Sequence, residues 1–305
     1  MKKVTRGVYS KFAILLPFLA ALTFAVKLSV EKSVIANVDS IYTLTLLIAI
    51  VPMSLALVIL TTQRLKRQSD ATKTPWRERF YMLLNGLIAS GLFYYLIYTG
   101  LQDSSVMFSA LSQGIMLVVT VLVGVVFMKE HFRREFWLLI ALLVAGTYIV
   151  SVGKFNIMLP RRGDLYVIAS AVILGLTNHF AGWIGKRNSI LEMIFYNYLG
   201  AMLVMAGLLL TLQTFSTAGI RWEAVVFIGL ANFIIVSLLF RSFVKVGASL
   251  TSAIMMLSPV FAAGIAYFYA GERLSFLQLV AMLVVTASGV MIALGQGQSE
   301  GNRSK

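Results

Sequence analysis

The chain contains about ten apolar runs, each long enough to cross a lipid bilayer, separated by short polar connections. A bilayer core about 30 Å thick needs roughly 20 apolar residues in a helix, because each helical residue rises about 1.5 Å. Of the 305 residues, 59% are apolar and 12% are charged, so few residues remain for a soluble domain. Helices satisfy their own backbone hydrogen bonds in lipid. We therefore predict an all-α integral membrane protein.

The layout of the last two runs is repeated earlier in the chain. The runs 250–270 and 276–294 are joined at a hinge that contains Glu272, and the runs 108–128 and 136–152 are joined at a hinge that contains Glu130. Few residues are identical between the two copies. The order of span, acidic hinge, span and glycine nevertheless predicts an internal repeat.

The second hinge carries a motif. It reads Ser-Pro-Val-Phe followed by Tyr-Ala-Gly-Glu-Arg-Leu-Ser-Phe-Leu-Gln, with Pro259, residues 271–275 and Gln278 as its defining positions. This motif resembles the second signature of the EamA family in the drug/metabolite transporter superfamily. The resemblance implies ten transmembrane helices, built as two five-helix repeats, and a carrier for small organic solutes. The chain departs from the family pattern at Leu117, the counterpart of Pro259, and at residues 20–21, where alanines stand near the usual Trp-Gly pair.

The expected domains follow this division of the chain. We predict one repeat over residues 10–153, a second over residues 164–297 and a cytoplasmic tail over residues 298–305. Because five spans per repeat is an odd number, the second repeat is expected to enter the bilayer inverted relative to the first. Two helix starts are also predicted from capping boxes, formed by Ser189 with Glu192 and by Ser275 with Gln278.

Basic residues are distributed unequally between the two sets of connections. When connections are assigned alternately from the N-terminus, 19 lysines and arginines fall on one side and six on the other. The richer side is cytoplasmic in membrane proteins. We therefore predict a multi-pass protein of the cell (inner) membrane with both termini in the cytoplasm. The net charge of +14 then reflects topology and not a nucleic-acid partner.

Lys27 is the sharpest candidate for a substrate-binding residue. A charged side chain inside a span costs about 2–4 kcal/mol unless it is paired or hydrated. Lys27 lies toward the outer end of a first span predicted over residues 12–30, where it could bind a substrate carboxylate. A lysine that extends to the outer headgroups explains the same position equally well.

Other polar residues inside the spans are candidates for the wall of a cavity. His179 could bind substrate or carry a proton, although a neutral histidine bonded to its neighbours is the alternative. Hydrogen bonding between helices explains the remaining candidates as well as substrate binding does. These candidates are Asn85, Tyr94, Gln113, Asn197 and Asn232.

Two prolines and two glutamates are candidates for gating or structural motifs. Pro52 and Pro259 interrupt backbone hydrogen bonding inside spans and could act as gating bends. Glu130 and Glu272 lie where one helix ends and the next begins, and the dipole of the following helix favours a carboxylate there. A structural role for both glutamates is therefore expected.

The sequence predicts no enzyme, no cofactor and no metal site. The chain has no cysteine and contains none of the phosphate-binding loop, His-Glu-x-x-His or Gly-x-Ser-x-Gly motifs. The expected partners are a small-molecule substrate and the lipid bilayer, with a homodimer as an open option.

The resemblance and the polar residues together favour a secondary transporter of small organic metabolites, either amino-acid-like or drug-like. We expect export by alternating access. One alternative is a nucleotide-sugar-like antiporter of the same superfamily, which should carry more basic residues in mid-span than Lys27. Another is a non-transporting membrane assembly protein, which needs no polar cavity.

Overall fold

The protein is all-helical in a computed structural model that describes residues 6–35, 37–66, 74–101, 103–104, 106–152, 161–270 and 274–301. The first half contains α1 (Arg6–Ile35), α2 (Ile41–Lys66), α3 (76–101), α4 (Val106–Met128) and α5 (Arg134–Val152). The second half contains α6 (Arg162–Gly185), α7 (Ile190–Leu212), α8 (Trp222–Lys245), α9 (248–270) and α10 (Phe276–Gly301). The predicted helical class is confirmed.

Length and composition identify the membrane-crossing helices. Among the described residues, seven helices are long and apolar enough to cross a membrane. Two shorter apolar helices, Ser112–Met128 and Phe276–Ile292, lie within α4 and α10. The chain is therefore a multi-pass protein embedded in the membrane.

The helices of the two halves interlock. Helix α1 packs against α8 and α9, and α6 packs in the same way against α3 and α4. Helix α2 pairs with α7, and α5 pairs with α10. Each of these pairings has a counterpart in which every helix is replaced by its equivalent in the other half, so that α1 is replaced by α6, α2 by α7 and so on. The repeat deduced from the hinges is thus visible in the packing, and residues from both halves meet in the interior.

Helix α3 departs from a regular α-helix in its middle. It consists of Trp76–Gly86, a π-helical turn over Leu87–Leu92, and Phe93–Leu101. Turns of this kind are frequent at functional sites. Ser90 within the turn and Asn85 just before it are both buried.

Two glycines allow α3 and α7 to approach within backbone contact. A Cβ atom on Gly200 would lie 2.5 Å from the carbonyl carbon of Gly86. A Cβ atom on Gly86 would lie 2.6 Å from the backbone oxygen of Asn197. Neither residue therefore has room for a side chain, and this contact fixes α7 beside the π-helical turn.

Helix α9 is broken close to its proline. Its two parts are Ala248–Met255 and Ser258–Ala270, with a turn at Met256 and Leu257. Pro259 is buried in the first turn of the second part, where its missing N–H is not needed. Helix α2 runs without interruption through Pro52. The two prolines therefore have different local consequences.

The end of α4 explains the hinge motif in physical terms. Lys129 adopts the left-handed conformation with φ of 54°, and the Glu130 N–H donates to the Gly124 carbonyl at 2.9 Å. Such a helix end is usually made by glycine. When the two repeats are aligned, Lys129 corresponds to Gly271 and Glu130 corresponds to Glu272. Both Gly271 and Glu272 lie outside the described residues.

The two predicted capping boxes have different outcomes. At α10 the Ser275 N–H donates to Gln278 Oε1 at 2.9 Å and the Gln278 N–H donates to Ser275 Oγ at 3.3 Å, so this box is confirmed. At α7 the prediction is wrong, because Ser189 makes no side-chain cap. Glu192 instead accepts a hydrogen bond from Thr74 Oγ1 at 2.7 Å, a contact from a residue distant in sequence.

Candidate functional site

Lys27 and Glu31 form a buried ion pair on α1. The Lys27 Nζ atom lies 2.9 Å from Glu31 Oε2. Lys27 is 4% exposed and Glu31 is 6% exposed, so the lysine does not extend to the surface. Removing two charges from water is costly, and the cost is recovered only with close pairing and further hydrogen bonds. We therefore take the buried Lys27–Glu31 pair as the centre of the first candidate site.

Aromatic side chains from α3 complete the surroundings of the pair. The Tyr98 hydroxyl donates to Glu31 Oε1 at 2.9 Å, so both carboxylate oxygens have a partner. Tyr94 stacks on Tyr98 with ring centres 5.6 Å apart. The Lys27 ammonium lies 5.3 Å from the centre of the Phe24 ring, within the range of a cation–π contact. The site therefore combines both signs of charge with aromatic faces.

Tyr198 brings the second half of the chain to this site. Its ring is fully buried on α7, and it interacts electrostatically with Tyr94 and Glu31. Within the described part of the chain, the Tyr198 hydroxyl has no hydrogen-bond partner. A buried hydroxyl without a partner is unfavourable unless a ligand or water satisfies it. We call Lys27, Glu31, Tyr94, Tyr98 and Tyr198 the ion-pair site.

The predicted amides Asn85 and Asn197 form an adjacent hydrogen-bonded group. Asn85 Nδ2 donates to Asn197 Oδ1 at 3.3 Å, and Asn197 Nδ2 donates to Ser90 Oγ at 2.7 Å. Asn85 Oδ1 is the second buried polar atom without a partner among the described residues. This group joins α3 to α7, and Asn197 directly precedes Tyr198 in the chain.

His179 belongs to a separate polar network near the end of α4. Its Nε2 atom lies 2.9 Å from the Thr120 carbonyl and 3.4 Å from Ser249 Oγ. Ser249 donates to Glu130 Oε2 at 2.6 Å, and Asn178 donates to Thr120 Oγ1 at 3.1 Å. The carbonyl contact favours the tautomer protonated at Nε2. We call Thr120, Glu130, Asn178, His179 and Ser249 the histidine network.

Among the described residues, the other predicted residues make no hydrogen bond to these two groups. Gln113 Oε1 accepts a hydrogen bond of 3.4 Å from Ser258, next to Pro259 at the break in α9. Asn232 is buried on α8, and Pro52 is buried in α2. The structure thus brings together Lys27 with Tyr94, Asn85 with Asn197, and His179 with Glu130, while their roles in binding remain predictions.

Three members of the ion-pair site were missed by sequence reasoning. Glu31 was assigned to a connection because polar residues follow it, whereas α1 continues to Ile35. The spacing of four residues from Lys27 was the available signal, since such pairs face each other on a helix. Tyr98 and Tyr198 gave no comparable signal, because tyrosine is common in membrane helices.

Comparison with known proteins decides the family. A model of the EamA-like transporter family matches residues 11–152 and again residues 161–294. The chain belongs to this family. The two EamA matches correspond to α1–α5 and α6–α10, which confirms the resemblance and places the protein among the membrane transporters of the drug/metabolite transporter superfamily.

Individual relatives agree with the EamA assignment. An uncharacterized transporter of Methanothermobacter thermautotrophicus is 24% identical over 245 residues, which is 76% of this chain and 69% of the relative. A protein of known crystal structure superposes with a TM-score of 0.73 at 19% identity, covering 92% of this chain and 98% of its own. At this identity the structural likeness shows the fold alone.

Proposed function

We propose that this EamA protein is an exporter of small zwitterionic metabolites that works by alternating access in the cell membrane. The observation that carries the proposal is the buried Lys27–Glu31 pair, 2.9 Å apart. It lies among α1 and α3 of the first half and α7 of the second. A site between the two repeats is where a transporter of inverted design binds its substrate.

The ion pair favours a solute with both charges. A solute that separates Lys27 from Glu31 must replace both partners, because an uncompensated buried charge costs about 3–5 kcal/mol. An amino-acid-like zwitterion supplies a carboxylate for Lys27 and an ammonium for Glu31. Tyr94 and Tyr98 offer aromatic faces to its apolar part. A nucleotide sugar would bring its phosphates next to the Glu31 carboxylate, which disfavours the antiporter alternative.

Alternating access follows from the paired architecture. We propose that all ten helices cross the bilayer, that the second repeat is inverted, and that both termini lie in the cytoplasm. The exchange-symmetric packing of α1–α5 and α6–α10 supports the inverted arrangement. The excess of basic residues on one set of connections supports the orientation.

The break in α9 is the proposed gating element. Replacing Pro259 with alanine restores a backbone donor and allows a continuous helix. We expect the transport rate to fall severalfold while the amount of protein in the membrane stays within about twofold of wild type. The control is Gly264→Ala in the same helix, where an added Cβ meets no atom within 4 Å. Equal loss of rate and abundance for Pro259→Ala would contradict a gating role.

The proposed export activity is tested by comparing metabolites in the medium of cells that overproduce the protein. The test variant is the double substitution Lys27→Met/Glu31→Met, which removes both charges together. The control is Ser29→Ala, on the exposed face of the same helix, where the hydroxyl donates to the Ala25 carbonyl at 3.2 Å. At equal membrane abundance, we expect a zwitterionic compound to accumulate outside cells with wild type and Ser29→Ala.

The double variant is expected to leave the medium unchanged. An unchanged medium for wild type as well would argue against export and favour uptake or a non-transporting role. Export that survives the loss of both charges would show that the ion pair is not the binding site.

A further inference from the structure

A groove of about 360 Å³ opens on the side of the molecule between α4 and α6. Its apolar lining includes Phe127 and Met128 from α4 and Leu176, Phe180 and Trp183 from α6. His179 of the histidine network is the polar residue of the lining. Phe127 is 72% exposed and Leu176 is 50% exposed. Exposed apolar side chains on membrane-crossing helices contact lipid chains, so this groove opens toward the bilayer.

Cations surround the end of the groove at which α4 stops and α6 ends. The Arg187 guanidinium lies 4.2 Å from the centre of the Trp183 ring, so it covers a residue of the lining. Lys129 directly follows Met128, and both Lys129 and Lys186 are exposed. Glu78 is an acidic neighbour, 3.8 Å from Arg187, and it also accepts a hydrogen bond from Asn188. Glu130, which directly follows Lys129, is a second acidic neighbour, so three cations stand against two carboxylates at this end.

We propose that this groove binds one anionic phospholipid, with an acyl chain against the apolar lining and the phosphate among Lys129, Lys186 and Arg187. The ligand class follows from the combination of an apolar lining and nearby cations. A soluble anion would not use the apolar lining, and a zwitterionic lipid would gain little from the cations. Each lysine or arginine near a membrane surface strengthens the binding of an anionic lipid by about fivefold. The inference is independent of the proposed transport activity.

Trp183 provides a direct reporter for the lipid. The reporter protein carries Trp76→Phe, Trp137→Phe and Trp222→Phe, so that Trp183 is its sole tryptophan. The reporter protein is placed in phosphatidylcholine vesicles that contain a small fraction of a brominated lipid, either phosphatidylglycerol or phosphatidylcholine. Brominated acyl chains quench tryptophan fluorescence on contact. We expect brominated phosphatidylglycerol to quench Trp183 at a lower mole fraction than brominated phosphatidylcholine.

Charge variants of the reporter identify the headgroup contacts. We expect Arg187→Gln to reduce the preference for phosphatidylglycerol about fivefold and Lys129→Gln/Arg187→Gln to reduce it roughly 25-fold. Arg187→Lys should retain most of it. The matched control is Arg241→Gln, an exposed arginine on α8 that does not line the groove, for which the preference should be unchanged.

A second reporter separates the groove from the general lipid environment. Here Trp222 is the sole tryptophan, beside the Arg221–Glu223 ion pair, and no preference between the two lipids is expected. Equal quenching of Trp183 by both lipids would overturn the proposal and leave an apolar solute or ordinary bilayer lipid as the occupant. An equal effect of Arg241→Gln and Arg187→Gln would overturn it in favour of general surface charge.

Discussion

Gly200→Ala is expected to destabilise the protein strongly, because the new methyl group has no space between α7 and α3. It would lie 2.5 Å from the Gly86 carbonyl carbon, and backbone atoms cannot rotate away as a side chain can. Overpacking costs about 1–3 kcal/mol and occasionally more, and we expect the upper end here because the neighbours are backbone atoms. The check is the fraction of protein that remains monodisperse in mild detergent after heating, compared with wild type.

The same helix provides the matched control. At Gly207 an added Cβ meets no atom within 4 Å, so Gly207→Ala is expected to leave the thermal midpoint unchanged or slightly raised. If Gly200→Ala is as stable as Gly207→Ala, the close contact between α3 and α7 is incorrect.

Separate replacement of Lys27 or Glu31 is expected to destabilise the protein strongly, whereas joint replacement is not. Lys27→Met leaves Glu31 as a buried carboxylate without its cation, and Glu31→Met leaves the ammonium without its anion. Either change should cost about 3–5 kcal/mol. Lys27→Met/Glu31→Met removes both charges and should recover most of the stability, because buried pairs exchanged for apolar residues are often neutral or stabilising.

A double-mutant cycle on thermal unfolding measures this coupling. A coupling energy near zero would contradict the buried pair at 2.9 Å. Stability and transport are expected to separate in the double variant, which should be folded but inactive. If the pair served only the stability of the fold, the double variant would recover stability and transport together.

The fold was largely predictable because the bilayer leaves few options for apolar runs of this length. The predicted helix boundaries were less accurate. Helix α1 extends to Ile35 and includes Glu31, which was assigned to a connection because polar residues follow it. The cap at Ser275 was predictable because it depends on neighbouring residues. The contact from Thr74 to Glu192 was not, because it joins residues 118 positions apart.

The candidate site was predictable only in part, for the same reason. Lys27 is conspicuous as a charge inside an apolar run, and Asn85 and Asn197 are conspicuous as amides inside such runs; all three are buried. The contact between the two amides, and the electrostatic interaction of Tyr198 with Glu31, depend on how α7 packs against α3. No local pattern specifies such distances. The glycine pair that permits the approach gave no sequence signal either, because glycine is common in membrane helices.

The π-helical turn over Leu87–Leu92 also affects how α3 can change in length. Loss of one residue from a regular membrane helix rotates everything beyond it by about 100°, which moves buried side chains into lipid. The π-helical turn accommodates one residue more than an α-helix needs, so the segments on either side already have the register of a shorter helix. Asn85 and Tyr98 would therefore keep their facing directions if one residue between them were deleted. Helix α3 can thus lose one residue of its π-helical turn while its two ends keep their relative orientation.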